Sequence, residues 1–185
     1  MIDFESEVRR LTDRQAILDC IYRYARGVDR DDIDLVSSAY HADARDDHGF
    51  FVGSGRSMGE WVFARHKESP ASQHHITNHV AEIDGDTAHA ETYFLAINRS
   101  PNGTASLATG RYVDRFERRN GTWRIAARVV ITESVLTADV DELAPVAERA
   151  FAPFSRDRSD LSYRRPLEVA RHSADETHPA LIGYK

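Results

Sequence analysis

The chain has 185 residues, 41% of them hydrophobic, and a formal net charge of −6, which suits one domain with a sizeable core. Acids and bases are mixed along it, without the block of like charge carried by nucleic-acid or membrane-binding tails. No stretch approaches the roughly 18 apolar residues of a membrane helix, and Met1-Ile2-Asp3-Phe4-Glu5 lacks the regions of a signal peptide, so a cytoplasmic location is expected.

Thr12-Asp13-Arg14-Gln15 has the form of a capping box, and Ile17, Ile21, Tyr24, Ala25 and Val28 recur behind it at helical spacing. This predicts a first helix, closed by Gly27 and the acidic run from Asp29 to Asp34. The single cysteine, Cys20, has no partner for a disulfide or a thiolate metal site and reads as a buried small apolar residue. Asp31 or Asp32 caps a second, short helix through Leu35, Val36, Ala39 and Tyr40, forming a helical hairpin. Past the polar turn Asp46-Asp47-His48-Gly49, Phe50-Phe51-Val52 reads as a short strand. Ser57-Met58-Gly59-Glu60 then opens a third helix through Trp61, Val62 and Arg65.

The period changes after this point. Residues 74–83, 87–98, 105–117 and 122–134 are rich in β-branched and aromatic types, separated by Asp84-Gly85-Asp86, Pro101-Asn102-Gly103 and Asn120-Gly121. Asn120-Gly121 is the strongest hairpin signal, because both residues accept positive φ. Helices first and a meandering sheet afterwards define an α+β domain. A last helix is predicted from about Asp139 to Ala150, followed by a charged, aperiodic tail. Residues 1–135 thus form the domain, and residues 136–185 a C-terminal helix and tail that pack on it or on a neighbouring subunit.

Four side chains could carry chemistry. Asp29 stands where the first helix should end, and a carboxylate there meets the negative end of the helix dipole, a placement that suits a group sharing a proton with a histidine. Tyr24 matches the apolar face of that helix and converges with Asp29 only if the helix breaks near Gly27. In Gln73-His74-His75-Ile76-Thr77-Asn78-His79, strict alternation puts His75 and His79 on one strand face and His74 on the other. Residues four apart on a strand are separated by roughly 13 Å, so His75 and His79 cannot both ligate one metal ion unless the strand bulges, and no metal is expected. Arg128 lies mid-strand among small and apolar neighbours, on the face opposite Trp123 and Ile125, and needs an anionic partner, either a structural carboxylate or a substrate. No nucleophile elbow, Walker loop or dinucleotide fingerprint is present.

Leu11-Thr12-Asp13-Arg14-Gln15-Ala16-Ile17, Tyr22 to Asp29, His41-Ala42-Asp43-Ala44, Asp47-His48-Gly49, His75-Ile76-Thr77-Asn78, Gly110-Arg111-Tyr112 and Gly121-Thr122-Trp123-Arg124-Ile125 follow one another in an order that resembles the SnoaL-like branch of the NTF2-like superfamily. The resemblance spans roughly residues 8–135. It implies a cone, with a curved mixed or antiparallel sheet packed on N-terminal helices around a central pocket. The superfamily holds lyases, isomerases, epoxide hydrolases, dioxygenase small subunits and proteins that only bind ligands.

Its bile-acid 7α-dehydratase, scytalone dehydratase and hexachlorocyclohexane dehydrochlorinase carry out cofactor-free eliminations with an aspartate and a histidine. By that resemblance His75 removes a proton from carbon, Asp29 stabilises the imidazolium, Tyr24 assists the leaving oxygen and Arg128 meets developing negative charge. His74 takes the place of His75 if the register slips by one. The implied protein is a lyase or isomerase without cofactor, acting on an apolar cyclic substrate such as a steroid, polyketide or aromatic compound, and assembled as a homo-oligomer, a trimer or dimer. The alternatives are the small subunit of a ring-hydroxylating dioxygenase and a binding protein without turnover.

Overall fold

A computed structural model describes residues 3–140, 152 and 154–168. Helix α1 runs from Phe4 to Asp29 and so begins well before the expected capping box. Thr12 lies inside it, with its hydroxyl donating to the Val8 carbonyl one turn back at 2.8 Å, so Thr12-Gln15 marks no helix start. The helix also passes Gly27 unbroken. A Cβ at Gly27 would lie 2.7 Å from the Val36 backbone nitrogen, where α2 (Ile33–Ser38) crosses the end of α1. Cap formation at α2 follows expectation, with the Asp32 carboxylate accepting from the Leu35 N–H at 3.0 Å.

Tyr40, expected in the second helix, instead begins strand β1 (Tyr40–Asp47). Its polar composition hides a strand whose alternation buries Ala44 and Asp46. The short strand β2 is Val52–Ser54, two residues later than predicted, and α3 (Gly55–His66) follows it at once. Ser54 caps α3, its hydroxyl accepting from the Ser57 N–H at 3.1 Å, which places Ser57-Glu60 inside the helix rather than at its start.

Strands β3 (Ser72–Asp84), β4 (Thr87–Arg99), β5 (Thr104–Arg119) and β6 (Thr122–Asp139) form the predicted meander. The sheet order is β2-β1-β6-β5-β4-β3, mixed because β1 pairs parallel with β6. Asn120 (φ 52°) and Gly121 (φ 75°) both take the left-handed conformation expected of this hairpin. The helix predicted from Asp139 to Ala150 lies, beyond the end of β6 and Val140, outside the described residues.

Two irregularities in pairing decide which side chains face the helices. Between Ile76 and His79, β3 advances three residues while β4 advances two, from Phe94 to Thr92. Between Ile125 and Ala127, β6 advances two residues while β5 advances one, from Phe116 to Arg115. Each extra residue reverses the alternation beyond it and bends the sheet. Trp123 and Ile125 therefore face the helices, and so does Arg128, which strict alternation assigns to the opposite face. Ile17, Ile21, Tyr24 and Val28 of α1 pack against Phe94, Tyr112, Phe116 and Ile125 of the sheet, each large apolar side chain contributing about 1.5–3 kcal/mol by leaving water. Cys20 is buried in this core, as expected. Among the described residues no helix is long and apolar enough to cross a membrane.

Candidate active site

Asp29 ends α1, and His74 lies near the start of β3. The Asp29 carboxylate accepts the His74 backbone N–H at 2.9 Å and the Ser72 hydroxyl at 3.4 Å, while His74 Nδ1 lies 2.7 Å from Asp29 Oδ1. This contact assigns the proton to Nδ1. Nε2 makes no hydrogen bond among the described residues. The two side chains are 10% and 16% exposed, and they line a cleft of about 380 Å³ together with Tyr22, Arg26, Arg30 and Ile76.

His75, expected to pair with Asp29, does not: it lies on the opposite strand face, exposed at the rim of the same cleft. Alternation runs unbroken from Ser72 to Ile76, so Ser72, His74 and Ile76 share the face that meets α1. The irregularity beyond Ile76 brings His79 to that same face, against the expected grouping with His75. His79 Nδ1 there lies 2.8 Å from the Thr92 hydroxyl. Burial, followed by Arg14, lowers its pKa below the usual histidine value.

Tyr24 does not converge on Asp29. Five helical steps on an unbroken α1 turn the two side chains about 140° apart, and Tyr24 points into the interior. Its hydroxyl lies 3.1 Å from His48 Nε2. His48 Nδ1 in turn contacts the fully buried Asp46, which also accepts the Tyr40 hydroxyl. Arg128 joins this cluster: its Nε and Nη2 donate to the two oxygens of Asp114, both at 2.7 Å. The guanidinium lies over the rings of Tyr24 (4.3 Å) and Tyr112 (4.1 Å). A structural carboxylate is thus the partner of Arg128, and its Nη1 remains without one among the described residues. Burial above all raises the phenol pKa of Tyr24 and Tyr112, so both stay protonated near neutral pH.

The four predicted residues therefore divide, with Asp29 at the cleft, His75 at its rim, and Tyr24 and Arg128 in the interior. Asp46, His48, Tyr112 and Asp114 were not predicted. Their signal was alternation, since Asp46 stands two residues after Ala44 and Asp114 stands two residues before Phe116, but charge disguised the first as a turn.

His66, at the end of α3, has a pKa lowered from 6.5 to about 4 by burial first, then by Arg156 and His74. Because the folded value lies below the unfolded one, the unfolded chain binds the proton first as pH falls. This contribution to stability is present above about 6.5 and is lost toward about 4. The lowered pKa values of His79 and His41 act in the same direction. Urea denaturation is expected to show stability falling across this window, by roughly 2 kcal/mol from His66, with a shallower slope in His66→Gln. An unchanged slope in the variant would remove His66 from the account.

The sequence profile of the SnoaL-like domain family matches residues 9–129 of the chain. No curated protein matches it. Among solved structures, a putative scytalone dehydratase from Novosphingobium aromaticivorans is similar with a TM-score of 0.63 and 19% identity, over 73% of this chain and 92% of that one. A hexachlorocyclohexane dehydrochlorinase, LinA type 2, gives a TM-score of 0.65 and 22% identity, over 75% of this chain and 97% of that one. A putative aromatic ring hydroxylase from Novosphingobium aromaticivorans gives 0.63 and 25%, over 69% and 94%. The first two likenesses are of fold.

Proposed function

The chain belongs to the SnoaL-like domain family, and from that premise we propose that it is a cofactor-free lyase or isomerase acting on an apolar cyclic substrate. The observation that supports this reading is the Asp29–His74 pair, with the carboxylate on Nδ1 and the other nitrogen left for a ligand. In this reading His74, in place of His75, removes a proton beside a carbonyl or leaving group through Nε2. Asp29 then meets the positive charge that forms on the ring. Arg128 and Tyr24, expected to meet an oxyanion and the leaving oxygen, are buried away from this cleft and take no step in this reading. The dioxygenase small subunit and the binding protein would have no use for an imidazole held in this way.

A probe elimination tests the base without knowledge of the natural substrate. In 5-nitro-1,2-benzisoxazole a base takes the ring proton, the N–O bond breaks and a nitrile and a phenolate form. Dialysed, chelator-treated protein is expected to accelerate this reaction saturably, with activity kept in His75→Ala and lost in His74→Ala. Absence of acceleration, or equal loss in both variants, would sink the reading.

A further inference from the structure

A carboxylate at the C-terminus of a helix is electrostatically misplaced, and here it is joined by a second one, because Asp31 follows Asp29 closely. Burial first, with the charge of Asp29 adding to it and that of Arg156 opposing it, raises the pKa of Asp31. The compensating charge comes from far along the chain. Arg156 lies beyond the residues 9–129 that match the family, and its side chain is 9% exposed. Its Nη2 donates to the Val28 carbonyl at 3.2 Å and to Asp31 Oδ1 at 2.8 Å, and its Nε donates to the Asp29 carbonyl at 3.4 Å. On its other side Nη1 donates to the carbonyls of His66 at 2.9 Å and Ser69 at 3.2 Å. One guanidinium thus bridges the last turn of α1, which carries Asp29, and the segment that leads from α3 into β3, which carries His74.

We infer that Arg156 is a positioning residue for the Asp29–His74 pair. This rests on the reading of that pair as the base. The planar guanidinium with its five donors suits the task, since it satisfies backbone acceptors from two segments at once and neutralises the crowded end of α1. A lysine has one point of charge and cannot span both. Neighbouring contacts dock the same segment onto the α1–α2 elbow: Arg158 lies 3.2 Å from Asp32, and the Tyr163 ring lies 4.8 Å from the Arg26 guanidinium. Neither contact reaches the backbone at Asp29 or the approach to His74. Without Arg156 the carbonyls of Val28 and Asp29 each lose one of their donors and keep contacts from Asp31 and Arg30. The Asp29–Asp31 repulsion loses the cation that offsets it, and the carboxylate drifts from the ring. A displacement of about 1 Å costs about 100-fold in rate.

Two readouts on the full chain test this. In the probe elimination, Arg156→Gln is expected to lower kcat by about 10- to 100-fold with a smaller change in KM, Arg156→Lys to recover only part of it, and Arg158→Gln to match wild type. Millimolar guanidinium should restore activity to Arg156→Gly, a rescue that a merely unfolded variant would not show. Independently of any turnover, the proton NMR signal of His74 Nδ1–H is expected in wild type, lost in Asp29→Asn and Arg156→Gln, and recovered with guanidinium in Arg156→Gly. If wild type shows no elimination, the proposed function fails while the NMR readout still decides this inference. A wild-type chain without the His74 signal, or an Arg156→Gln variant that retains both signal and kcat, overturns it.

Discussion

Asp29→Asn is expected to slow elimination by about 10³- to 10⁴-fold while the fold and ligand binding stay close to wild type. The side chain keeps its size and one carbonyl oxygen, which can accept either the His74 backbone N–H or the ring N–H, now held by separate carboxylate oxygens at 2.9 Å and 2.7 Å. What it loses is the charge opposite Nδ1. An amide that turns its nitrogen toward the ring donates to Nδ1 and moves the imidazole proton to Nε2, where the base must be free. One that turns its oxygen there preserves the tautomer but leaves the imidazolium unmatched. Either way the loss falls on kcat, because a neutral His74 binds substrate equally well in both proteins. His74→Ala should cost as much, and the double variant little more, since the two residues act as one unit. Steady-state kinetics of the three proteins check this. A tenfold effect or less from Asp29→Asn, or simple additivity in the double variant, would show that the pair does not act as a base.

Much of this arrangement was readable in the sequence, and the failures share a cause. The hairpin at Asn120-Gly121 and the cap at Asp32 are local chemistry, and both took the form their residue types require. Helix α1 contains an internal copy of a start signal, which four neighbouring residues cannot distinguish from a real one. The assignment of faces failed differently. Alternation is a rule for regular strands, and one extra residue after Ile76 and another at Ala126 reverse it for His79 and Arg128. The choice of His75 over His74 came from the family resemblance, and of these two neighbours alternation from Ser72 turns His74 toward α1. Arg156 was beyond reach for a third reason: its bond partners are backbone carbonyls, and no residue type in the sequence announces where a carbonyl will point.

The largest stability effect is expected at Arg128. Its side chain and that of Asp114 are both 0% exposed and paired at 2.7 Å, so truncating either leaves the other as an unmatched charge in the core. Arg128→Met should therefore cost about 3–5 kcal/mol in urea denaturation, and it also strips the cation from between the Tyr24 and Tyr112 rings. The pair itself contributes much less, because taking two ions out of water offsets most of their attraction. Arg128→Met combined with Asp114→Leu should accordingly recover most of the lost stability. Asp46 keeps its contacts with His48 and Tyr40 in both variants, so the neighbouring cluster need not collapse. The recovered double variant then separates folding from function: with stability restored, elimination should return close to the wild-type rate, because the guanidinium is buried away from the Asp29–His74 cleft. A single-variant cost below about 1 kcal/mol would contradict the buried-pair account. Elimination that stays about 100-fold slow in the stable double variant would instead give Arg128 a part in the reaction.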